Sequence, residues 1–206
     1  MQLFTRRLAA IAAAAVASAG VVATPSASAA SRANATDRAF VREMVPHHRM
    51  AVDMAMMADA QAEHTELKTM AAAVVEDQSA EIKTLTRAAR RIGVTPLNME
   101  SDHAHETMMR DADTLKLSMD EMGMDMDMQE LDGAKPFDRA FIDMMITHHQ
   151  GAIRMARAER ARGKDTTLRR VARAIVVAQT KEIRQMNAWR KQWYGATSPS
   201  GGVPKP

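Results

Sequence analysis

The chain has 206 residues, 46% of them apolar, and a formal charge of +3, which suffices for one domain with a real core. Aromatic residues make up only 3% and cysteine is absent, while methionine reaches 19, a composition that favours helix and excludes disulfides and thiolate metal sites. So small a positive charge gives no general attraction to nucleic acid, and none is expected as a partner.

The first residues read as a secretory signal. Arg6 and Arg7 form a positive start, Leu8 to Val22 is an apolar run too short for a comfortable membrane span, and Ala27-Ser28-Ala29 is a small-residue cleavage motif. Residues 1–29 are therefore expected to be a signal peptide, and the product to be secreted, periplasmic or held in the cell envelope. Losing two arginines lowers the charge from +3 to +1, and no second apolar stretch long enough to span a membrane remains. Thr5-Arg6-Arg7 leaves the general secretory and twin-arginine routes both open.

The remainder is a duplication. Asp37-Arg38-Ala39-Phe40 recurs as Asp138-Arg139-Ala140-Phe141, and Met44, His47, His48, Ala51 and Met54 recur as Met145, His148, His149, Ala152 and Met155, always at an offset of 101. Gln78, Glu81 and Ile82 match Gln179, Glu182 and Ile183 at the same offset, so each copy is an uninterrupted unit. The first helix carries a stripe of Phe40, Met44, His47, Ala51, Met54 and Ala58, spaced in steps of three and four to face one partner. Thr65 is expected to cap the second helix, whose stripe is Ala71, Val74, Gln78, Glu81, Leu85, Ala88 and Ile92 before Gly93 stops it. Pro136 and Asp138 open the third helix, Gly163 closes it, and Asp165 or Thr166 caps the fourth. The fourth stripe runs Ala172, Ile175, Gln179, Glu182, Met186, Trp189 and Trp193, with both tryptophans closing one end.

The expected fold is all-α: a four-helix bundle over residues 36–194 made of two duplicated antiparallel hairpins, 37–92 and 136–194. An acidic, methionine-rich connection, 94–135, joins them and is expected to hold a short helix near Ala104 to Met119 and to lie across the arginine-rich second hairpin. The tail, 195–206, rich in Ser, Gly and Pro, is expected to be disordered. Two departures from the repeat matter here: Pro46 stands opposite Thr147 and frees the carbonyl of Arg42, and Met50 stands opposite Gly151.

Both hairpins place polar groups where the stripe should be apolar, namely His47, His148, Gln78, Glu81, Gln179 and Glu182. Burying them costs several kcal/mol unless they are paired or bind a metal. His48 and His149 lie about 100° further round, and Met44, Met54, Met145 and Met155 a turn or two away. One reading is a hydrogen-bonded core network filled out by flexible methionine. The other is metal ligation: imidazole with thioether suits copper, as Cu(I) or Cu(II), and Glu81 and Glu182 would orient the imidazoles, with Gln78 and Gln179 beside them. A second candidate site lies in the connection, where Met119, Met122, Met124, Met126 and Met128 alternate with acids behind His103 and His105. So acidic a run is not expected in the core, and its thioethers would form a weak exposed site for a soft cation; the alternative is an amphipathic helix packing on the bundle.

The blocks Phe40-x-x-x-Met44-x-x-His47-His48-x-x-Ala51-x-x-Met54-Ala55 and Phe141-x-x-x-Met145-x-x-His148-His149-Gln150-Gly151-Ala152-x-x-Met155-Ala156 resemble the family known as domain of unknown function 305. The resemblance covers Asp37 to Trp193 and implies an exported, ferritin-like helical bundle; its CopM-type members are implicated in copper binding and resistance. The ligands it implies are Met44, His47, His48, Met54, Met145, His148, His149 and Met155. The first hairpin departs from the family's His-His-Gln-Gly-Ala.

The expectation is therefore a non-enzymatic, exported copper-binding protein acting in copper buffering, resistance or handling in the cell envelope. A homo-oligomer is compatible with the sequence. The alternatives are a non-catalytic helical interaction module and a di-iron oxidase or ferroxidase, for which the stripe offers only Glu81 and Glu182 and no suitably placed Glu-x-x-His. No catalytic residue is assigned, and no nucleophile elbow, phosphate loop or haem motif is present.

Overall fold

A computed structural model describes residues 33–205; the expected signal peptide, residues 1–29, lies outside them. Helix accounts for 75% of the described residues, which contain no strand. The helices are α1 (Ala35–Gln61), α2 (Thr65–Arg91), α3 (Ala104–Leu115), α4 (Met128–Asp132), α5 (Phe137–Arg162) and α6 (Thr166–Tyr194), with a 3-10 turn at Asp120–Met122. α1 with α2 and α5 with α6 form two hairpins; they meet mainly through α1 against α5, whereas α2 and α6 touch little. No helix among the described residues is long and apolar enough to cross a membrane.

The starts of the helices show why the Asp-Arg-Ala-Phe block is repeated. Asn34 and Asp37 form a capping box on α1, with bonds of 3.0 and 2.6 Å. The same Asp37 carboxylate reaches across to the start of α6 and accepts from the Lys164 and Asp165 amides at 3.0 and 2.8 Å. Its counterpart Asp138 accepts from the Glu63 and His64 amides, both at 2.9 Å, at the start of α2. Each hairpin thus caps the other, and α1 and α5 run antiparallel with the start of one beside the end of the other. Asp165 caps α6 as expected, through Thr167 and Leu168. Thr65 is not a cap: His64 holds that position without a side-chain bond, because Asp138 supplies the acceptor.

The stripes meet in two apolar clusters. One gathers Phe40, Met44, Leu85, Met155, Leu168 and Ile175; the other gathers Met54, Leu67, Phe141, Met145, Ile183 and Met186. Between them lies a polar layer at mid-bundle, containing His47, His48, His148, His149, Gln78 and Gln179, all buried. Trp189 and Trp193 close one end as expected, stacked on each other, with Trp193 also stacked on His64 at 3.7 Å.

The connection first packs α3 on α1, where Arg42 grips Asp111 at 2.6 Å. It then crosses α5 at the 3-10 turn. Its bonds to arginines of α5 run from Arg162 to the Leu115 carbonyl and from Arg154 to the Glu121 carbonyl, so the acidic side chains are not what hold it to the basic hairpin. Met122 and Met124 are core residues, 0% and 6% exposed, contrary to the expectation that this run stays out of the core. Met122 belongs to the 3-10 turn laid on α5, and for the methionines that follow the reason is the alternation itself. Residues 124–127 are non-helical, and along an extended chain successive side chains face opposite ways, so the methionines turn inward and Asp125 and Asp127 outward. Met119, Met126 and Met128 pack half-buried against the two clusters, while His103 and His105 remain exposed.

The tail is likewise not free. Gln150 donates to the Ser200 and Gly202 carbonyls at 2.8 and 2.7 Å, Arg157 to those of Pro204 and Lys205, and Asn187 to that of Gly201. Tail carbonyls accept these side-chain donors, a set of pairings that composition alone does not reveal.

Candidate metal centre

The polar layer follows from the crossing of α1 and α5. Because the two helices are antiparallel copies, the same position of each meets itself at the crossing, and the His47 and His148 rings come within 3.7 Å, tilted by 37°. His48 and His149, one residue on, turn toward the second helix of their own hairpins. There the His48 Nε2–H donates to Glu81 at 2.7 Å and the His149 Nε2–H to Glu182 at 2.6 Å, the carboxylate being the acceptor in each case. Neighbouring rings in each pair are 6.4 and 6.3 Å apart.

All four imidazoles are fully buried. Burial holds His47 and His148 well below the usual histidine pKa, and the neighbouring imidazoles push in the same direction. Both are neutral rings at physiological pH. Burial is the largest single influence on Glu182 and acts to raise it, but the bond from His149 together with the charges of His149, His48 and Lys181 outweighs it, and the carboxyl titrates below its ordinary range. It is an anion that can accept.

The decisive feature is what remains unpaired. The Nδ1 atoms of His47, His48, His148 and His149 are buried without a hydrogen-bond partner, as are His148 Nε2 and both amide atoms of Gln78 and Gln179. With Nε2–H of His48 and His149 committed to glutamate, and that of His47 to the Met122 carbonyl at 3.1 Å, the lone pair at Nδ1 is the free donor. So many orphaned groups in one layer cost several kcal/mol, which a bound cation would recover.

Thioethers flank the layer on both faces. Met44 and Met155, joined by Met122 and Met124, lie in one apolar cluster; Met54 and Met145 lie in the other. Each face therefore takes one stripe methionine from each repeat. Among the described residues, no three or more His, Asp or Glu side chains are gathered as a set able to hold a metal. The donor set that fits is one of few imidazoles completed by thioethers, which suits a soft ion better than iron.

The structure also adds residues that the stripe pattern does not show. The Met122 carbonyl reaches His47 because the turn at 120–123 lies directly on Gly151. A Cβ there would collide with the Met122 carbonyl and stand 2.8 Å from the Gly123 amide. Gly123 itself sits at φ +66°, a conformation glycine adopts without strain.

A profile of the domain of unknown function DUF305 matches residues 27–199. The chain belongs to the DUF305 family. Among solved structures it is similar to CopM in its Cu(I)-bound form, at 33% identity over 77% of this chain and 98% of that one, with a TM-score of 0.62. CopM in its Cu(II)-bound form is 34% identical over 77% and 97% of the two chains, with a TM-score of 0.63. A DUF305 protein from Streptomyces coelicolor, 23% identical over 79% and 96%, shares the fold with a TM-score of 0.66. No curated protein matches the chain.

Proposed function

We propose that this protein binds copper in the mid-bundle layer, with any one ion held by one or two of the Nδ1 atoms of His47, His48, His148 and His149 and completed by thioethers from Met44, Met54, Met145 and Met155. The observation that carries this reading is the cluster of buried, unpartnered imidazole nitrogens flanked by methionine. That CopM, at 33% identity, has been solved with Cu(I) and with Cu(II) adds weight. Bound copper would be cargo, with Cu(I) favoured by sulfur and either ion accepted by imidazole.

The chain's own groups have separable parts in this. Glu81 and Glu182 hold the Nε2–H of His48 and His149, which fixes the tautomer and raises the basicity of the ligating nitrogen. Burial keeps the central rings neutral, so no proton need leave before they bind. Gln78 and Gln179 are placed to turn their amides to whatever occupies the layer.

A purely structural polar network is the weaker reading, because such a network pairs its members and this one leaves both glutamines unpaired. A di-iron site is not supported, since only Glu81 and Glu182 reach the layer and each is bonded to a histidine, with no Glu-x-x-His pair there to complete a carboxylate set. The methionine-rich connection, proposed from sequence as a separate exposed site, is better read as a wall of the buried one, with Met122 and Met124 facing in. Export through the N-terminal segment to the cell envelope, for buffering or resistance, completes the proposal.

Copper titration of the protein lacking residues 1–29 tests it, beside a His47/His148 to Ala variant and a deletion of residues 119–128. Stoichiometric copper that the double variant loses supports the site; a protein that stays metal-free at micromolar copper refutes it.

A further inference from the structure

The buried layer needs a way in, and the weak contact between α2 and α6 leaves one. The two helices diverge to form a groove with two lobes that are related by the sequence repeat. The wider lobe, about 680 Å³, is lined by Glu66, Met70, Asp77, Lys181, Glu182 and Trp189. The narrower, about 340 Å³, is lined among others by Glu81, Thr84, Arg170 and Val171. The 101-residue offset maps Glu182 onto Glu81, Met70 onto Val171 and Asp77 onto Ala178.

In each lobe the repeated glutamate is the partition between solvent and the imidazoles. The Glu182 side chain is 20% exposed and its carboxylate bonds the fully buried His149; that of Glu81 is 24% exposed and bonds His48. The lobes differ in what stands in front of that partition. Before Glu182 there are a half-buried thioether and two exposed carboxylates, Glu66 and Asp77, with Lys181 as the opposing charge. Before Glu81 there are an arginine and a valine. The wider lobe's lining carries three carboxylates against one lysine beside a thioether, a better match to a soft cation than the narrower lobe's single glutamate and arginine without sulfur.

Resting on the copper reading above, we infer that the metal is captured as a soft monovalent ion in the wider lobe, by Met70 with the carboxylates of Asp77 and Glu182, and passes Glu182 to reach His149. The two repeats are then unequal in kinetics although nearly symmetric in ligands. The hairpin that owns the receiving histidine does not own the capturing methionine: Met70 lies on α2 and His149 on α5, so uptake needs both hairpins folded together.

The test is stopped-flow transfer of Cu(I) from a coloured chelate to the full mature chain, with total copper measured at equilibrium. Silver(I) serves as a redox-inert second probe, and Trp189 in the lobe wall as the fluorescence reporter. Met70→Val with Asp77→Ala, which puts the repeat counterparts Val171 and Ala178 in their places, should slow loading about tenfold at unchanged final stoichiometry. The early tryptophan signal should vanish with it. Asp77 is exposed, so Asp77→Ala alone carries little folding risk and should slow loading about threefold at low salt. Val171→Leu in the other lobe should leave the rate as it was. Full stoichiometry at an unchanged rate in the double variant overturns the route alone. A wild-type chain that takes up no copper overturns the binding site and the route together.

Discussion

Two buried carboxyls outside the metal layer give the protein a pH dependence of its own. Glu43 and Glu159 are 0% exposed with neither oxygen hydrogen-bonded, and both are raised from 4.5 to about 9, first by burial and then by an adjacent carboxylate: Asp111 for Glu43, Asp37 for Glu159. The folded state holds a proton that the unfolded chain releases near 4.5, so stability falls as pH rises from about 4.5 to about 9 and then levels. Glu159→Gln keeps the shape without the proton, and should exceed the wild type at pH 8 by more than about 1 kcal/mol while matching it at pH 4.5. Urea denaturation at the two values measures this; equal midpoints at pH 8 would contradict the assignment. Among the histidines, His148 is unpaired at both nitrogens. Without metal, His148→Leu should therefore stabilise the chain by roughly 1–3 kcal/mol, because an apolar group replaces two orphaned atoms. The same variant should bind less copper. Thermal melts of metal-free protein decide it, and a lower melting temperature would show that the imidazole is already satisfied.

At the level of elements, two departures from the repeat, at Pro46 and Gly151, are where unrepeated segments attach. Pro46 cannot donate to the Arg42 carbonyl, and the Leu97 amide takes that acceptor at 3.0 Å, pinning the beginning of the connection to α1. Gly151, in the place of Met50, lets the 120–123 turn lie on α5 and present Met122 to His47. Gly151→Ala should cost about 1–3 kcal/mol through overpacking and weaken copper binding by shifting that turn. Gly163 is also tight, but against the flexible Glu159 side chain rather than backbone. A Gly151→Ala protein with wild-type stability would mean that the turn is loosely held. The helices themselves were legible from the spacing of Phe40, Met44, Ala51 and Met54, because a helix must show one apolar face to its partner. The Met-Asp alternation of the connection was visible too, but its acidity pointed to an exposed run, and only the packing shows an extended segment with its thioethers turned in.

On the scale of the molecule, reciprocal capping by Asp37 and Asp138, crossing helices and a docked tail bind the hairpins into one unit. Asp37 and Asp138 each satisfy amides on the opposite hairpin, so the duplication is held together at both ends. The tail adds six bonds around Gln150, Arg157 and Asn187. Removing residues 196–206 should lower the melting temperature by about 2–6 °C, since bonds near solvent contribute little individually. Calorimetry of the truncated chain checks this, and an unchanged transition would show the tail to be a passenger.

The amino-acid sequence by itself determined that the protein is all-helical, that it is a repeat, and that a His-His pair sits in each stripe. These follow from periodicity and self-similarity, which are properties of local chain geometry. Only the tertiary structure decided that His47 faces His148, that Glu81 and Glu182 bond the second histidine of each pair, that Met122 and Met124 are core, and that an open groove fronts Glu182. Those facts depend on the antiparallel crossing of α1 and α5 and on where unrepeated chain is laid over it, and contacts between residues 33 to 101 positions apart leave no local period to read.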